Sequence, residues 1–243
     1  MAQRFDRTKQ LIGETAVERL AGCRVAVFGV GGVGSFVCEA LARGGVGNLD
    51  LFDSDTVDIT NINRQIIALD STVGRYKTDV MRERIADINP AARVTSNKVF
   101  VTLEVVEGID FAKYDYVVDA IDNVTAKIAL CQRAFENKVP IISAMGAGNR
   151  LDPKNFQIAD IEKTSGCPLA KVMRVELRKR GIKGVKAAFS PQPAIKPENS
   201  EARAGSGRPS PASISFVPSV MGLLIAGEVI CDLIKNTDEV TKL

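Results

Sequence analysis

Short apolar segments alternate with longer amphipathic ones through the first half of the chain. Apolar runs at Arg24–Phe28 and Asn48–Phe52 predict buried strands. By the same criterion, further strands are predicted at 93–100, 114–118 and 140–145. Amphipathic stretches predict helices at 5–20, 32–43, 77–89 and 124–137. Strands that alternate with helices of about 12 residues indicate parallel βαβ units with right-handed crossovers.

The pattern changes after Gly146. Strands at 156–161 and 185–189 are expected to pair antiparallel, and a basic helix is predicted at 167–180. Residues 191–211 are rich in Pro, Ser, Gly and charge, which predicts a mobile loop before a closing helix at 217–234. We expect one domain over 1–243, with a nucleotide-binding half up to 146 and a substrate and dimer half at 147–243.

A glycine run follows the first predicted strand and opens the first helix after it. Its members are Gly29, Gly31, Gly32 and Gly34, followed by Ser35. Such glycines let the backbone approach a phosphate at a helix N-terminus. Asp53 lies 19 residues after Gly34 and can bond a ribose hydroxyl. The fold class predicted is therefore α/β, with a Rossmann-like, mostly parallel doubly wound sheet and a C-terminal mixed or antiparallel extension.

Polar residues beyond the second strand indicate more than a redox dinucleotide site. These residues are Asp55, Asn61, Arg64, Gln65 and Lys77, and Asp122 and Asn123 follow the fourth strand. Arg64 and Lys77 can reach the β- and γ-phosphates of ATP, and Asp122 can hold Mg²⁺ or orient a reacting carboxylate. The alternatives are surface charge for the two cations and helix capping for Asp122.

Composition restricts the chemistry. The chain has no histidine, which excludes Ser-His-Asp and Cys-His catalysis and histidine zinc sites. Its five cysteines form no CxxC pair, so we expect no zinc site. We expect the cysteines to be reduced thiols. No signal peptide is evident, and the apolar run 220–234 carries Glu228 and Asp232 and falls short of a bilayer span. These features predict a cytoplasmic protein without a membrane partner.

Several motifs together resemble one family. They are Gly29-x-Gly31-Gly32-x-Gly34-Ser35, Asp53-x-Asp55, Asn61-x-Asn63-Arg64-Gln65, Val73-Gly74-x-x-Lys77 and Asp119-Ala120-Ile121-Asp122-Asn123. The chain resembles the ThiF/MoeB/HesA superfamily of ubiquitin-activating-like adenylating enzymes over most of residues 5–146, and residues 215–222 extend the likeness. The resemblance implies that the protein binds ATP and Mg²⁺, adenylates a carboxylate and releases pyrophosphate.

The same resemblance implies roles for individual residues. Asp53 would hold the ribose, Arg64 and Lys77 the phosphates, and Asp122 the metal and reaction centre. Asn61 and Gln65 would support the pocket. In this family an N-terminal arginine enters the neighbouring subunit's ATP site, so Arg7 implies a homodimer.

Within the family, the chain is most similar to the tRNA threonylcarbamoyladenosine dehydratases. The likeness lies in Arg4-Phe5-x-Arg7, Pro168-Leu-Ala-Lys171 and Phe189-Ser190. Such enzymes adenylate the threonyl carboxylate of the modified adenosine beside the tRNA anticodon, and an internal nitrogen closes a ring with loss of water. No protein nucleophile is required, and Cys167 is the only thiol near the position that carrier-protein activators use.

A basic run in the second half supports a tRNA substrate. Its members are Lys171, Arg174, Arg178, Lys179, Arg180, Lys183 and Lys186. Contacts with phosphates would make binding depend strongly on salt. The alternative is a solvated helix face. The loop at 191–211 adds Lys196, Arg203 and Arg208.

Other functions remain open at this point. An activator of a small sulfur-carrier protein with a C-terminal Gly-Gly tail would also adenylate a carboxylate. An NAD-dependent oxidoreductase explains the glycines and Asp53 but leaves Arg64 and Lys77 without a role. An inactive nucleotide-binding scaffold is the third alternative. Some members of the family work with a cysteine desulfurase system, although no residue here requires one, and the residues do not specify a monovalent cation.

Overall fold

A sheet of seven strands forms the centre of the computed structural model, which describes residues 3–195 and 211–235. The strands are β1 Arg24–Phe28, β2 Asn48–Phe52, β3 Arg93–Asn97, β4 Tyr116–Asp119, β5 Ile141–Ala144, β6 Gln157–Asp160 and β7 Lys186–Phe189. Their order across the sheet is β3-β2-β1-β4-β5-β7-β6. All neighbours pair parallel except β6, which pairs antiparallel with β7. The predicted fold class is confirmed.

Helices cover both faces of the sheet. They are α1 Asp6–Ile12, α2 Glu14–Gly22, α3 Gly34–Gly44, α4 Lys77–Ile88, α5 Leu103–Glu107, α6 Val124–Glu136, α7 Pro168–Lys179 and α8 Phe216–Ile234. Along β1, Val25 and Val27 join the core that contains residues of α3, α4 and α8. Ala26 and Phe28, which alternate with them, join the core that contains residues of α6 and α7. Each face is therefore apolar, as a doubly wound sheet requires.

The strand order reverses between β1 and β4. The connections that follow these two strands run over opposite faces of the sheet and leave a crevice at the carboxyl ends of the strands. Open α/β sheets bind their ligands in such a crevice. The glycine run leaves β1 at this edge, and residues 120–123 leave β4 there.

The N-terminal segment differs from the prediction of one helix over 5–20. Two helices, α1 and α2, meet at Gly13, whose φ of 85° lies in the left-handed region. Glycine reaches this conformation without steric cost, so the chain turns there although the apolar pattern continues. The prediction of a single helix was wrong.

Helix α8 packs directly on the start of α3. A Cβ at Gly222 would lie 2.5 Å from the carbonyl oxygen of Val33, so only glycine allows this approach. By length and composition α8 could cross a membrane, but half of its most apolar window is buried inside the protein. It packs against α2 and α3 and is a core helix of this fold.

Other boundaries also moved. Strand β3 ends at Asn97 rather than 100, and the short helix α5 was not predicted. Most of the predicted loop at 191–211 falls on 196–210, which lie outside the described residues. Because β7 pairs directly with β5, one sheet spans both predicted halves, and the boundary at 146 remains a prediction.

Candidate nucleotide site

The glycine run forms a tight turn above the sheet. A Cβ at Gly34 would lie 1.8 Å from the carbonyl oxygen of Gly29, and a Cβ at Gly29 would lie 2.7 Å from that of Ala120. These two glycines therefore let the turn close on itself and on the neighbouring strand end. Gly31 and Gly32 instead line a cavity of about 260 Å³. Among the residues that the structure describes, no side chain caps the start of α3, so its amide groups suit an anion there.

Asp53 directly follows β2 and lies on the wall of this cavity. Its two carboxylate oxygens accept hydrogen bonds from the backbone amides of Val30, at 2.7 Å, and Asp55, at 2.9 Å. Burial raises the pKa of Asp53, and the positive charge of Lys77 opposes the rise. The carboxylate is thus fixed at the mouth of the glycine turn and keeps lone pairs for a ribose hydroxyl.

Two cations from separate elements reach the same cavity. Lys77 is the first residue of α4, is only 6% exposed, and donates to Oδ2 of Asp55 at 2.7 Å. Arg64 donates through Nη1 to the Thr60 carbonyl at 3.0 Å and to Oδ1 of Asn63 at 2.9 Å. Burial lowers the pKa of the Arg64 guanidinium, which nevertheless stays charged at neutral pH.

A buried acceptor on the cavity wall has no partner in the described part of the chain. Gln65 is 5% exposed, and its Oε1 atom receives no hydrogen bond from the described residues. Buried polar atoms are nearly always paired, so this unpaired acceptor is an exception beside the cavity.

The turn after β4 closes the cavity on its other side. Asp122 is exposed there and lies on the wall. Asn123 is also on the wall, and its Oδ1 accepts from the Ala126 amide at 3.0 Å, which caps α6. Capping and ligand contact therefore coexist at this turn.

An apolar wall was missed by sequence reasoning. Phe52, Val99, Val101 and Ile121 line the cavity together with Phe100, which is 63% exposed. The prediction extended β3 through residue 100, whereas the chain leaves the sheet after Asn97 and turns onto the cavity. The signal was the apolar triplet at 99–101, and such a surface suits a nucleobase.

Some predicted site residues lie elsewhere. Gly34, Ser35 and Asn61 are not on the cavity wall. Ser35 is fully buried in the first turn of α3, and Asn61 accepts the Asp58 amide at 3.1 Å through Oδ1. Arg7 is exposed on α1 and is not part of this chain's own cavity wall.

The cations of α7 engage local partners. Arg174 donates to the carbonyl of Thr164 at 2.6 Å, and Arg178 pairs with Glu162. Glu176 accepts from both Lys179, at 2.8 Å, and Arg180, at 2.7 Å. Lys171 and Lys183 are exposed.

Lys186 does not belong to this surface. It is half-buried at the start of β7 and pairs with Glu228, at 2.5 Å, and with Asp232. Its inclusion in the basic run was wrong, because α8 lies beside the strand and supplies these acidic partners.

The donor set for a metal is small. Within residues 3–195 and 211–235, no group of three or more Asp, Glu, His or Cys side chains comes together. Mg²⁺ commonly uses one or two carboxylates and completes its shell with phosphates and water. Asp122 on the cavity wall fits that arrangement.

Comparison with known proteins identifies a family whose solved members include an ATP complex. The sequence model of the ThiF family matches residues 5–242. The chain is 48% identical to the tRNA threonylcarbamoyladenosine dehydratase of Bacillus subtilis (strain 168), over 98% of this chain and 97% of that protein. It is 42% identical to the Escherichia coli (strain K12) enzyme of the same name, over 81% of this chain and 76% of that protein.

A solved structure supports the fold. The E. coli tRNA N6-threonylcarbamoyladenosine dehydratase TcdA, in complex with ATP, superimposes with a TM-score of 0.85 at 36% identity. The match covers 96% of this chain and 94% of that one.

Proposed function

The chain belongs to the ThiF family, and from that premise we propose that it is an ATP-dependent tRNA threonylcarbamoyladenosine dehydratase. The observation that carries this proposal is the likeness to the Bacillus subtilis dehydratase, which runs through 98% of the chain. The cavity supports it, because groups suited to a ribose, to phosphates and to a nucleobase converge on one space.

The reaction has two steps whose atoms balance. One oxygen of the threonyl carboxylate attacks the α-phosphorus of ATP, which forms an acyl adenylate and expels pyrophosphate. A nitrogen of the carbamoyl group then attacks the activated carbonyl, loses its proton and displaces AMP. The tRNA has lost one water, and the oxygen removed from the carboxylate leaves in AMP.

The roles proposed for the chain follow from the geometry. Asp53 accepts hydrogen bonds from the ribose, and the start of α3 with Gly31 faces the phosphates. Arg64 and Lys77 stabilise charge that develops on the departing pyrophosphate.

Mg²⁺ is a further part of the proposal. Asp122 would hold it together with the phosphates of ATP. The ion would neutralise phosphate charge and so make the α-phosphorus easier to attack. Asp122 itself lies where it can also orient the incoming carboxylate.

No cysteine is assigned to the chemistry. Cys167 is 5% exposed at the start of α7 and is not among the residues that line the cavity. A thioester or persulfide step would need an accessible thiol beside the activated carboxylate. The dehydration balances without a sulfur donor, so we propose no desulfurase partner.

Assembly and substrate docking complete the proposal. We propose a homodimer in which Arg7 enters the partner subunit's cavity, and a tRNA that lies along α7 and Lys183. Because tRNA is the substrate, the proposed location is the cytoplasm.

Mixing two inactive variants tests the proposed homodimer. Arg7→Ala keeps an intact cavity, and Asp122→Ala keeps Arg7, so a mixed dimer holds one complete site. We expect each variant alone to be inactive and an equal mixture to recover roughly a quarter of the wild-type rate. A mixture as inactive as its components, although subunit exchange is demonstrated, would refute the contribution in trans.

Mass analysis of nucleosides tests the function. The protein is incubated with ATP, Mg²⁺ and tRNA that carries threonylcarbamoyladenosine. The tRNA is then digested to nucleosides, whose masses are measured by mass spectrometry. We expect a modified adenosine lighter by one water, with AMP and pyrophosphate formed. If the mass is unchanged while ATP still binds, pyrophosphate exchange that depends on a Gly-Gly carrier protein would support the carrier activator instead.

A further inference from the structure

A buried ion pair lies directly beneath the turn that carries Asp122. Lys127 on α6 and Asp119 at the end of β4 are both 0% exposed, and Nζ lies 2.9 Å from Oδ2. The ammonium group also donates to the carbonyls of Ala144, at 2.8 Å, and Ile121, at 3.2 Å. Its three N–H donors thus meet three acceptors, which is full satisfaction for a lysine.

The pair holds one residue of the turn from both sides. Oδ1 of Asp119 accepts the Ile121 amide at 3.3 Å, while Lys127 donates to the carbonyl of the same residue. Ser143 on β5 donates to Oδ2 of Asp119 at 2.5 Å and fixes that carboxylate. Both peptide groups of Ile121 are therefore tied to buried charges.

The opposite side of this turn forms the cavity wall. Ile121 lines the cavity, Asp122 follows it, and Ala120 is in close contact with Gly29. A shift of the Ile121 peptide would therefore move Asp122 relative to the glycine turn.

The stability of the fold does not by itself explain why Asp119 and Lys127 are buried as charged groups. Desolvation opposes such a pair, and apolar residues of similar volume commonly stabilise a fold equally well. A pair whose every donor and acceptor is used does, however, restrict the backbone around it. We infer that this ion pair is kept, despite the free-energy cost of desolvating it, because it holds the turn in one position.

We propose that Lys127, through Asp119, is a positioning residue for adenylation. This role rests on the proposed function, since the group it positions is Asp122. The pair should act more on kcat than on ATP affinity, because Asp53, Arg64 and Lys77 lie outside the turn and Ile121 is one of five residues on the apolar wall. Neither residue is among those that line the cavity.

Asp50 provides a matched control. It is 2% exposed on β2 and has charged partners in Arg24 and Lys113, each at 3.2 Å, and a hydroxyl partner in Tyr114, at 3.0 Å. It is a buried, fully engaged carboxylate like Asp119 but is not among the residues that line the cavity. Asp50→Asn should therefore lower the melting temperature without affecting chemistry.

The test compares Asp119→Asn/Lys127→Met, which removes both charges together, with Asp50→Asn. We expect the double variant to lose about 100-fold in kcat, as for a small misplacement of a reacting group, with KM for ATP within about three-fold. Amide hydrogen exchange at Ile121 and Asp122 should accelerate. Asp50→Asn should keep kcat within about two-fold and leave exchange at both amides unchanged.

Each other outcome is decisive. A folded double variant with near-normal kcat and unchanged exchange would overturn the proposal, as would an equal loss of kcat in Asp50→Asn. If the double variant does not fold, Ser143→Ala removes only one hydrogen bond to Asp119, and unchanged kcat and exchange in that variant would overturn it. If the wild type forms no lighter nucleoside while exchange responds as expected, the proposed function fails and the positioning of the turn stands.

Discussion

The cations of the cavity and those of α7 show how differently one fold uses positive charge. Lys77 is almost fully buried, and it reaches the same space as Arg64 from a separate element. At the end of α7, Lys179 and the following Arg180 share Glu176 and are exposed. Buried, oriented charge can act on a bound ligand, whereas exposed pairs contribute little to stability and exchange readily with other ions.

This difference separates chemistry from docking. Changes in the cavity should alter kcat and the use of ATP, while changes on α7 should alter only the concentration of tRNA that is needed. Because the α7 pairs are weak, phosphates can replace Glu162 and Glu176 as partners at small cost.

Asp122→Ala should have the largest effect. Loss of the carboxylate at the reaction centre should lower kcat by about 1000-fold, while ATP still binds. Single-turnover formation of AMP measures the effect, and calorimetry measures ATP binding. Glu107→Ala, which removes an exposed carboxylate at the end of α5, is the control. Full turnover by a folded Asp122→Ala variant would remove this residue from the reaction.

Lys77→Ala should come next. It removes a buried cation and leaves Asp55 without its partner, so kcat/KM for ATP should fall by about 100-fold with KM for tRNA unchanged. Lys179→Ala removes the same charge from α7 and should leave ATP kinetics unchanged. Equal effects of the two variants would contradict the division between the regions.

Reversal of charge on α7 should have a smaller and different effect. Arg178→Glu/Lys179→Glu should raise KM for tRNA by about ten-fold and flatten its dependence on salt, with ATP binding unchanged. Arg82→Glu/Lys98→Glu, which reverses two cations paired with Asp79 of α4, is the matched control. If KM for tRNA responds equally in both variants, α7 is not the docking surface.

The smallest effect concerns pH. Burial raises the pKa of Asp53, so the folded protein keeps a proton that the unfolded chain has already released. The contribution of Asp53 to the free energy of unfolding should therefore fall as pH rises from the ordinary value of 3.8 to the raised one, and then level off. Adenosine should bind more tightly across the same window, because only the ionised carboxylate leaves all its lone pairs to hydroxyl donors.

Asp53→Asn is the control for this prediction. The variant should lack this contribution, so the free energy of unfolding of the wild type minus that of the variant should fall across the window in denaturant titrations. Adenosine binding by the variant should not change across it. The same pH dependence in Asp53→Asn would assign the titration to another group.

The sequence predicted those features that depend on local pattern. Apolar runs located β1 and β2, and the glycine run with Asp53 predicted the edge of the sheet where the cavity lies. The sequence also predicted that Arg64 and Lys77 lie near that edge, because both follow β2 and residues that follow parallel strands meet there. Both residues line the cavity.

Features that depend on tertiary contacts could not be predicted in this way. Gly13 breaks an apolar pattern that continues past it, and the acidic partners of Lys186 come from α8, distant in sequence. Nothing in the helical pattern at 124–137 marks Lys127 as buried, and only the meeting of β4, β5 and α6 shows that it is.

The fate of one carboxylate oxygen tests the central claim most directly. The tRNA substrate is prepared with heavy oxygen in both positions of the threonyl carboxylate and is converted with unlabelled ATP in unlabelled water. Activation by adenylation predicts that one heavy oxygen appears in the phosphate of AMP for each ring closed. AMP without label, or label found in inorganic phosphate with ADP as the product, would contradict adenylation in this cavity.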